Sequence, residues 1–290
     1  LVDENHAYCG ERGVAQCTEC LCGRPAPTGE TIEDWRLRHR LFLNGARAVL
    51  APSRDAAQRM AHYFPAANIR HAPHLDIAPG TPLPHPGPRR LPPGANLRVF
   101  VVGALSRIKG GETLEIVSLE AARLQAPIEL HLLGYPHLPM RQQPHASLTV
   151  HGAYEDADLP LLLARLQPDL IWFPARWPET YSYTLSACLQ AGLPIIATDL
   201  GAFPERLAGR PWSWIHPWNT PPGDWLALLL ELRARHYVGA EPPLPAPGLH
   251  IPLPDDTLPA WSYDSDYLAG LVPPDESAPQ PPPTALPATP

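Results

Sequence analysis

Lysine occurs once in the 290 residues, at Lys109, in a chain that otherwise carries its positive charge on arginine. It stands in the run Gly103-Ala104-Leu105-Ser106-Arg107-Ile108-Lys109-Gly110-Gly111, which follows an apolar stretch and precedes a helical one. Glycine lets backbone approach an anion, a helix N-terminus favours negative charge, and a compact ammonium adds a full charge. That chemistry is phosphate recognition, although an ordinary turn with a chance lysine explains the same residues. The run is neither a Walker A loop nor the Gly-x-Gly-x-x-Gly dinucleotide fingerprint.

A second block, Trp177-Pro178-Glu179-Thr180-Tyr181-Ser182-Tyr183-Thr184-Leu185-Ser186, sets an acidic residue where a strand gives way to a helix. The free amides of a first helical turn follow, beside a dense set of hydroxyls. Glu179 can be a helix-start charge complementing the dipole, and the hydroxyls a polar face. Hydroxyl and aromatic groups together at a carboxyl strand end suit sugar recognition better. A third block, His151-Gly152-Ala153-Tyr154-Glu155-Asp156, offers a ring for a base to stack on and a carboxylate to accept from it. Asp156 or Asp158 can equally cap the next helix. Near the start, Cys9, Cys17, Cys20 and Cys22 (with His6 as an alternative) have the residue types of a tetrahedral zinc site, so a structural zinc is possible. No second Cys-x-x-Cys follows at zinc-ribbon spacing, and disulfides would use the same residues.

These blocks need a frame, and the hydropathy pattern supplies one. Apolar residues make up 44%, ample for a core, and no run of eighteen apolar residues crosses a membrane. A net charge of −7 argues against nucleic acid as partner. Residues 1–30 read as a Cys- and Gly-punctuated loop, followed by a helix from Glu33, a strand at 48–51, a helix capped by Ser53, and a strand at 68–71. This is a β-α-β piece, too small for a whole Rossmann domain. Prolines crowd 77–96, a linker; they cannot propagate a helix or an inner strand. Strands at 97–103, 128–134, 147–152, 170–174 and 194–198 then alternate with helices at 112–125, 157–167, 179–191 and 224–236. Such alternation means a doubly wound parallel sheet, with ligands at the carboxyl ends of strands. The divisions are 1–76, 77–96, 97–238 and a Pro-rich tail at 239–290, its last fifteen or so residues polyproline-like or disordered.

The stretch from Leu97 to His236 resembles the donor-binding C-terminal domain of the group 1 retaining glycosyltransferases of the two-Rossmann (GT-B) type. The likeness rests on Gly-Ala-Leu-x-x-x-Lys-Gly, His-Gly-Ala-Tyr, the Pro-Glu-Thr-Tyr-Ser block, Ala-Gly-Leu-Pro, and Asp199-Leu200-Gly201-Ala202 with Glu205-Arg206, in the family's order. It implies a GT-B-like α/β fold: a Rossmann domain preceded by a partial second one. It further implies that Lys109, with Gly103 and Gly110, meets the donor diphosphate and that Glu179 contacts the transferred sugar. The amides of Thr180, Tyr181, Ser182 and Tyr183 hold phosphate oxygens, Tyr154 and Asp156 lie against the base, and Glu205 belongs to the same donor site. The implied partners are a UDP- or GDP-type sugar and a saccharide or lipid-linked acceptor. Transfer proceeds with retention and without a metal, in surface polysaccharide synthesis, in the cytoplasm or peripherally at the inner membrane face.

Two departures stand out. Relatives place an arginine directly after the first glycine; here Ala104 stands there, leaving Arg107 as substitute. Their second glutamate, which binds ribose hydroxyls, is Ala187 here; with Glu179 opening the helix it lies ~12 Å along the axis. The acceptor-side half is short, as in a fragment or a chain without its acceptor site. The alternative reading is a non-catalytic nucleotide-sugar- or carbohydrate-binding module; an epimerase or dehydrogenase lacks its fingerprint here.

Overall fold

The computed structural model describes residues 8–23, 25, 28–78, 80–137, 139–140, 148–258 and 261–268. The chain begins with α1 (Val14–Gly23) and α2 (Ile32–Asn44), then β1 (Val49–Ala51), α3 (Arg54–Tyr63) and β2 (Ile69–His71). Helix α1 falls where the sequence predicts loop; it buries no residue, so it lacks the apolar stripe that would have marked it. β1 and β2 pair in parallel with α3 crossing between them, the expected β-α-β piece. Ser53 caps α3 as predicted, its Oγ accepting from Ala56 N at 3.1 Å.

The described residues of 77–96 hold no helix or strand, and after them come β3 (Leu97–Val102), α4 (Gly111–Arg123), β4 (Ile128–Leu133), β5 (Leu148–Val150), α5 (Leu159–Leu166), β6 (Leu170–Phe173), α6 (Tyr183–Gln190), β7 (Ile195–Thr198), α7 (Ala202–Leu207), β8 (Ser213–His216) and α8 (Pro222–Leu232). The six strands form one parallel sheet in the order β5-β4-β3-β6-β7-β8. Short parallel strands buried on both faces read as unbroken apolar runs, and β6, Leu-Ile-Trp-Phe, is buried at every position. Alternate residues serve opposite cores. Val99, Val101, Leu130 and Trp172 face Leu114, Trp225 and Leu229 of α4 and α8. Phe100, Ile171, Phe173 and Ala197 face Leu163, Leu185, Leu189 and Phe203 of α5, α6 and α7. Two elements escape the sequence reading: α7 is only six residues long and contains Pro204, and β8 begins behind Pro211.

The tail is more engaged than its prolines suggest. Residues 239–253 pack back on the body through Ala246, which exchanges backbone bonds with Gly209 and Arg210, and Leu253, which joins Ala51, Ala56 and Ala57. Further along, Tyr263 and Tyr267 stay open to solvent, each about half exposed. The final residues, 269–290, lie outside the described residues. No helix among the described residues is long and apolar enough to cross a membrane.

Candidate functional site

The strand order reverses between β3 and β6. The chain leaves β3 toward β4 and β5 on one side, then returns to β6 and builds β7 and β8 on the other. The helices that follow β3 and β6 lie on opposite faces of the sheet, and the carboxyl ends of strands at such a switch are the place where doubly wound sheets bind ligands. The loops there are the lysine run and the Glu179 block.

Close contacts hold them together. Gly110 has φ +92°, and a Cβ there would sit 2.2 Å from the Pro174 carbonyl oxygen. Arg176 N donates to Ile108 O at 2.7 Å. Behind the second loop a Cβ on Gly201 would lie 2.3 Å from Glu179 O, and Ala202 N donates to that same oxygen at 2.8 Å. Only glycine permits either approach. The result brings Lys109 Nζ to 3.4 Å from Glu179 Oε1, the carboxylate largely buried and the ammonium half exposed. Around them Val102, Ala104, Phe173, Ser182, Thr184 and Phe203 line a small cavity of ≈ 30 Å³.

Glu179 does not open the helix. α6 starts at Tyr183, with Ser182 as N-cap, because Ser182 adopts φ +75° and its Oγ accepts from Leu185 N at 3.2 Å. Residues 179–182 form a loop ahead of the helix, so its first amides come one turn later than predicted. Ala187 accordingly sits one turn inside the helix, ~6 Å along its axis. It lines a cleft of ≈ 490 Å³ with Leu163, Ala164 and Arg89. Tyr181 is buried and donates its hydroxyl to Asp76 Oδ1 at 2.5 Å. Burial first, and Asp76 second, push its pKa up. Thr180 and Tyr183 are exposed, and the Tyr183 ring stacks on His74 at 5.1 Å.

Tyr154 and Asp156 follow β5, two strands from β3, hence ~10 Å across the sheet at the usual strand spacing. Tyr154 packs on the α5/α6 core; burial, with Asp156 adding to it, pushes its phenol up to about 12. Neither Asp156 nor Asp158 caps α5 through its side chain.

The remaining predicted residues lie elsewhere. Arg107 pairs with Glu112 at 2.9 Å on a separate cleft beside Pro136 and Pro139. Glu205 is turned toward the N-terminus of α3, where Arg54 N lies 3.0 and 3.1 Å from its oxygens. Burial raises its pKa to about 7. Cys9, Cys17, Cys20 and Cys22 carry free thiols. Among the described residues no three His, Cys, Asp or Glu side chains gather as a metal set. Cys17 and Cys20 share helix α1 while Cys9 precedes it, and His6 is outside the described residues.

Three further residues meet here; the sequence gives no sign of Asp76 or His74, and marks Arg206 only as part of the Glu205-Arg206 motif. Asp76 and His74 precede the site by about a hundred residues, and only the folding of the 72–78 segment onto α6 brings them in. Arg206 follows Glu205 in the chain, yet it points the other way, beneath Tyr181 at 3.9 Å from the ring centroid.

No protein-family model and no curated protein sequence matches the chain. Solved structures do. HepE of Anabaena in complex with UDP-glucose is 15% identical over 72% of this chain and 60% of that one, with a TM-score of 0.51. Sucrose-phosphate synthase from Thermosynechococcus elongatus is 16% identical over 75% and 57%, with a TM-score of 0.48. The chain spans just under three fifths to three fifths of the length of these structures. The likeness to HepE shows the fold, a Rossmann-like α/β fold of the GT-B type.

Proposed function

We propose that this chain carries the donor-binding half of a glycosyltransferase, which moves a hexose from a UDP- or GDP-type sugar to a saccharide or lipid-linked acceptor with retention. The observation that carries the reading is the meeting of Lys109 and Glu179 at the topological switch point, beside the open first turn of α6. The donor diphosphate lies against Lys109 and the α6 amides, which stabilise the charge that grows as the bond to the anomeric carbon breaks. A new bond then joins that carbon to the acceptor oxygen, and the acceptor proton leaves on the diphosphate. Glu179 orients the sugar through its hydroxyls. Tyr154 stacks on the base. No step here calls on a metal ion. HepE was crystallised with UDP-glucose, which supports a nucleotide sugar as the partner.

Ala187 favours a second reading, a binding module without turnover, because alanine offers the ribose hydroxyls no acceptor. A thermal-shift and calorimetric panel of UDP-, GDP- and dTDP-sugars tests binding, since a ligand of the folded state raises the midpoint. Turnover of the bound sugar nucleotide by the longest available form of the protein separates the two readings. Absence of binding to every member of the panel sinks both.

A further inference from the structure

We infer that Arg206 is a positioning residue, which holds the 179–182 loop in the conformation that turns its amides toward a bound anion. The inference rests on the nucleoside-diphosphate reading of the site.

The guanidinium donates through Nη1 to Tyr181 O at 2.8 Å and to Ser182 O at 2.9 Å, and through Nη2 to Ser186 Oγ at 2.7 Å. In a planar trans peptide the N–H points opposite to the C=O. With the carbonyls of Tyr181 and Ser182 drawn to Arg206, the N–H groups of Ser182 and Tyr183 must face away from it. Tyr183 is the first residue of α6, so its amide has no partner within the helix. The amide of Leu185 is already taken by Ser182 Oγ.

This arrangement does not hold itself. Ser182 has φ +75°, a region that side chains other than glycine rarely occupy, so the loop needs outside support. Arg206 provides it from below, and its plane lies against the Tyr181 ring. Asp76 fixes the far end of that ring. The placement of Arg206 is also coupled to Glu179, because the first amide of α7 bonds Glu179 O. One short helix thus sets both the carboxylate and the loop amides. Two carbonyls and a hydroxyl accept at once from a planar fork, a geometry that the point charge of lysine matches only in part.

The test uses the full chain with Arg206→Gln and Arg206→Lys. UDP and inorganic pyrophosphate are the probes by calorimetry, with amide exchange at Leu185 and Ser186, whose bonds to Ser182 Oγ and Ser182 O depend on the loop, measured against the β6 amides. Arg206→Gln is expected to weaken both probes about tenfold, the loss of oriented donors, with lysine recovering part of it. Exchange at Leu185 and Ser186 should quicken by a similar factor while β6 is unchanged. A folded Arg206→Gln protein with wild-type affinity and wild-type exchange overturns the inference. If that variant does not fold, Ser186→Ala removes one of the three bonds and should quicken exchange at Leu185 more modestly; no change overturns the inference. Wild-type protein that binds neither probe sinks the nucleotide reading instead. Exchange alone then decides the role of Arg206, faster at Leu185 and Ser186 in its favour and unchanged against it.

Discussion

Lys109 and Glu179 reach the same point from opposite sides of the switch in strand order, with Lys109 Nζ 3.4 Å from Glu179 Oε1. The ammonium is half exposed while the carboxylate is largely buried, so solvent screens the lysine side of the pair. On the proposed function, a diphosphate would compete for the ammonium and leave the carboxylate to the sugar.

Lys109→Ala should accordingly weaken binding of UDP or GDP by ~1.5–3 kcal/mol, the worth of a hydrogen bond to a charged group. The half-exposure of the ammonium puts the expected loss toward the lower end. Calorimetric titration checks it, and equal affinity in wild type and variant would leave Lys109 as a loop charge only.

Glu179→Gln should behave differently. Removing the carboxylate frees Lys109, so affinity for the free nucleotide should stay level or rise severalfold. Turnover, which needs the sugar held, should fall. A variant that loses nucleotide affinity in step with turnover contradicts this division of roles.

Much of this site is legible in the sequence because its frame is written in strong signals. Six-residue strands such as Leu97–Val102 are nearly all apolar, and their spacing dictates a parallel sheet whose carboxyl ends carry the unusual residues. Direction is harder to read than position. Nothing local distinguishes Glu205, which faces α3, from Arg206, which faces the loop, because the sense of a six-residue helix depends on its packing. The start of α6 departs from its sequence signal for a related reason. Pro178 and Glu179 mark a helix opening, but Gly201 draws the Glu179 backbone aside and delays the helix until Ser182 can cap it.

Ser182 offers a test of strain. Its left-handed φ costs ~1–3 kcal/mol that glycine would not incur. Glycine at an N-cap loses only a few tenths of a kcal/mol relative to serine. Ser182→Gly should therefore raise stability by ~0.5–2 kcal/mol, read as a shift of the denaturant midpoint at constant slope. A lower midpoint would show that the bond from Leu185 N outweighs the strain.

Two buried groups give opposite pH signatures. His131 stacks on Phe100, with its Nδ1 3.2 Å from His151 Nε2, and burial, aided by Arg98, pushes its pKa down to about 4. The folded state then binds fewer protons than the unfolded one between about 4 and the free imidazole value near 6.5, so stability falls as pH falls through that window. Glu205, raised to about 7, does the reverse: stability falls as pH rises from its free value of 4.5 to about 7. The net slope mixes the two, so each needs its own variant. His131→Phe should remove the acid-side loss and Glu205→Gln the neutral-side loss, as followed by denaturation between pH 4.5 and 7.5. A variant with the wild-type slope refutes the assignment for its residue.

Ala187 tests where the ribose of a bound nucleotide would lie. It lies one turn into α6, half-buried, and lines a cleft with Leu163 and Ala164 of α5. Helical side chains lean toward the N-terminus, so a glutamate at this position would extend back toward the first turn of α6. There its carboxylate can accept from the vicinal hydroxyls of a ribose whose base lies on Tyr154. Ala187→Glu is expected to tighten UDP or GDP binding by ~1–2 kcal/mol, the gain of one or two such bonds. The competing outcome is set by Arg89, which shares the cleft lined by Ala187 and is well exposed. A glutamate captured by Arg89 raises the thermal midpoint without changing nucleotide affinity. Titration and melting of the same variant tell these apart. Unchanged affinity in a well-folded Ala187→Glu protein means that the ribose lies elsewhere, and the reading as a binding module gains at the expense of the enzyme.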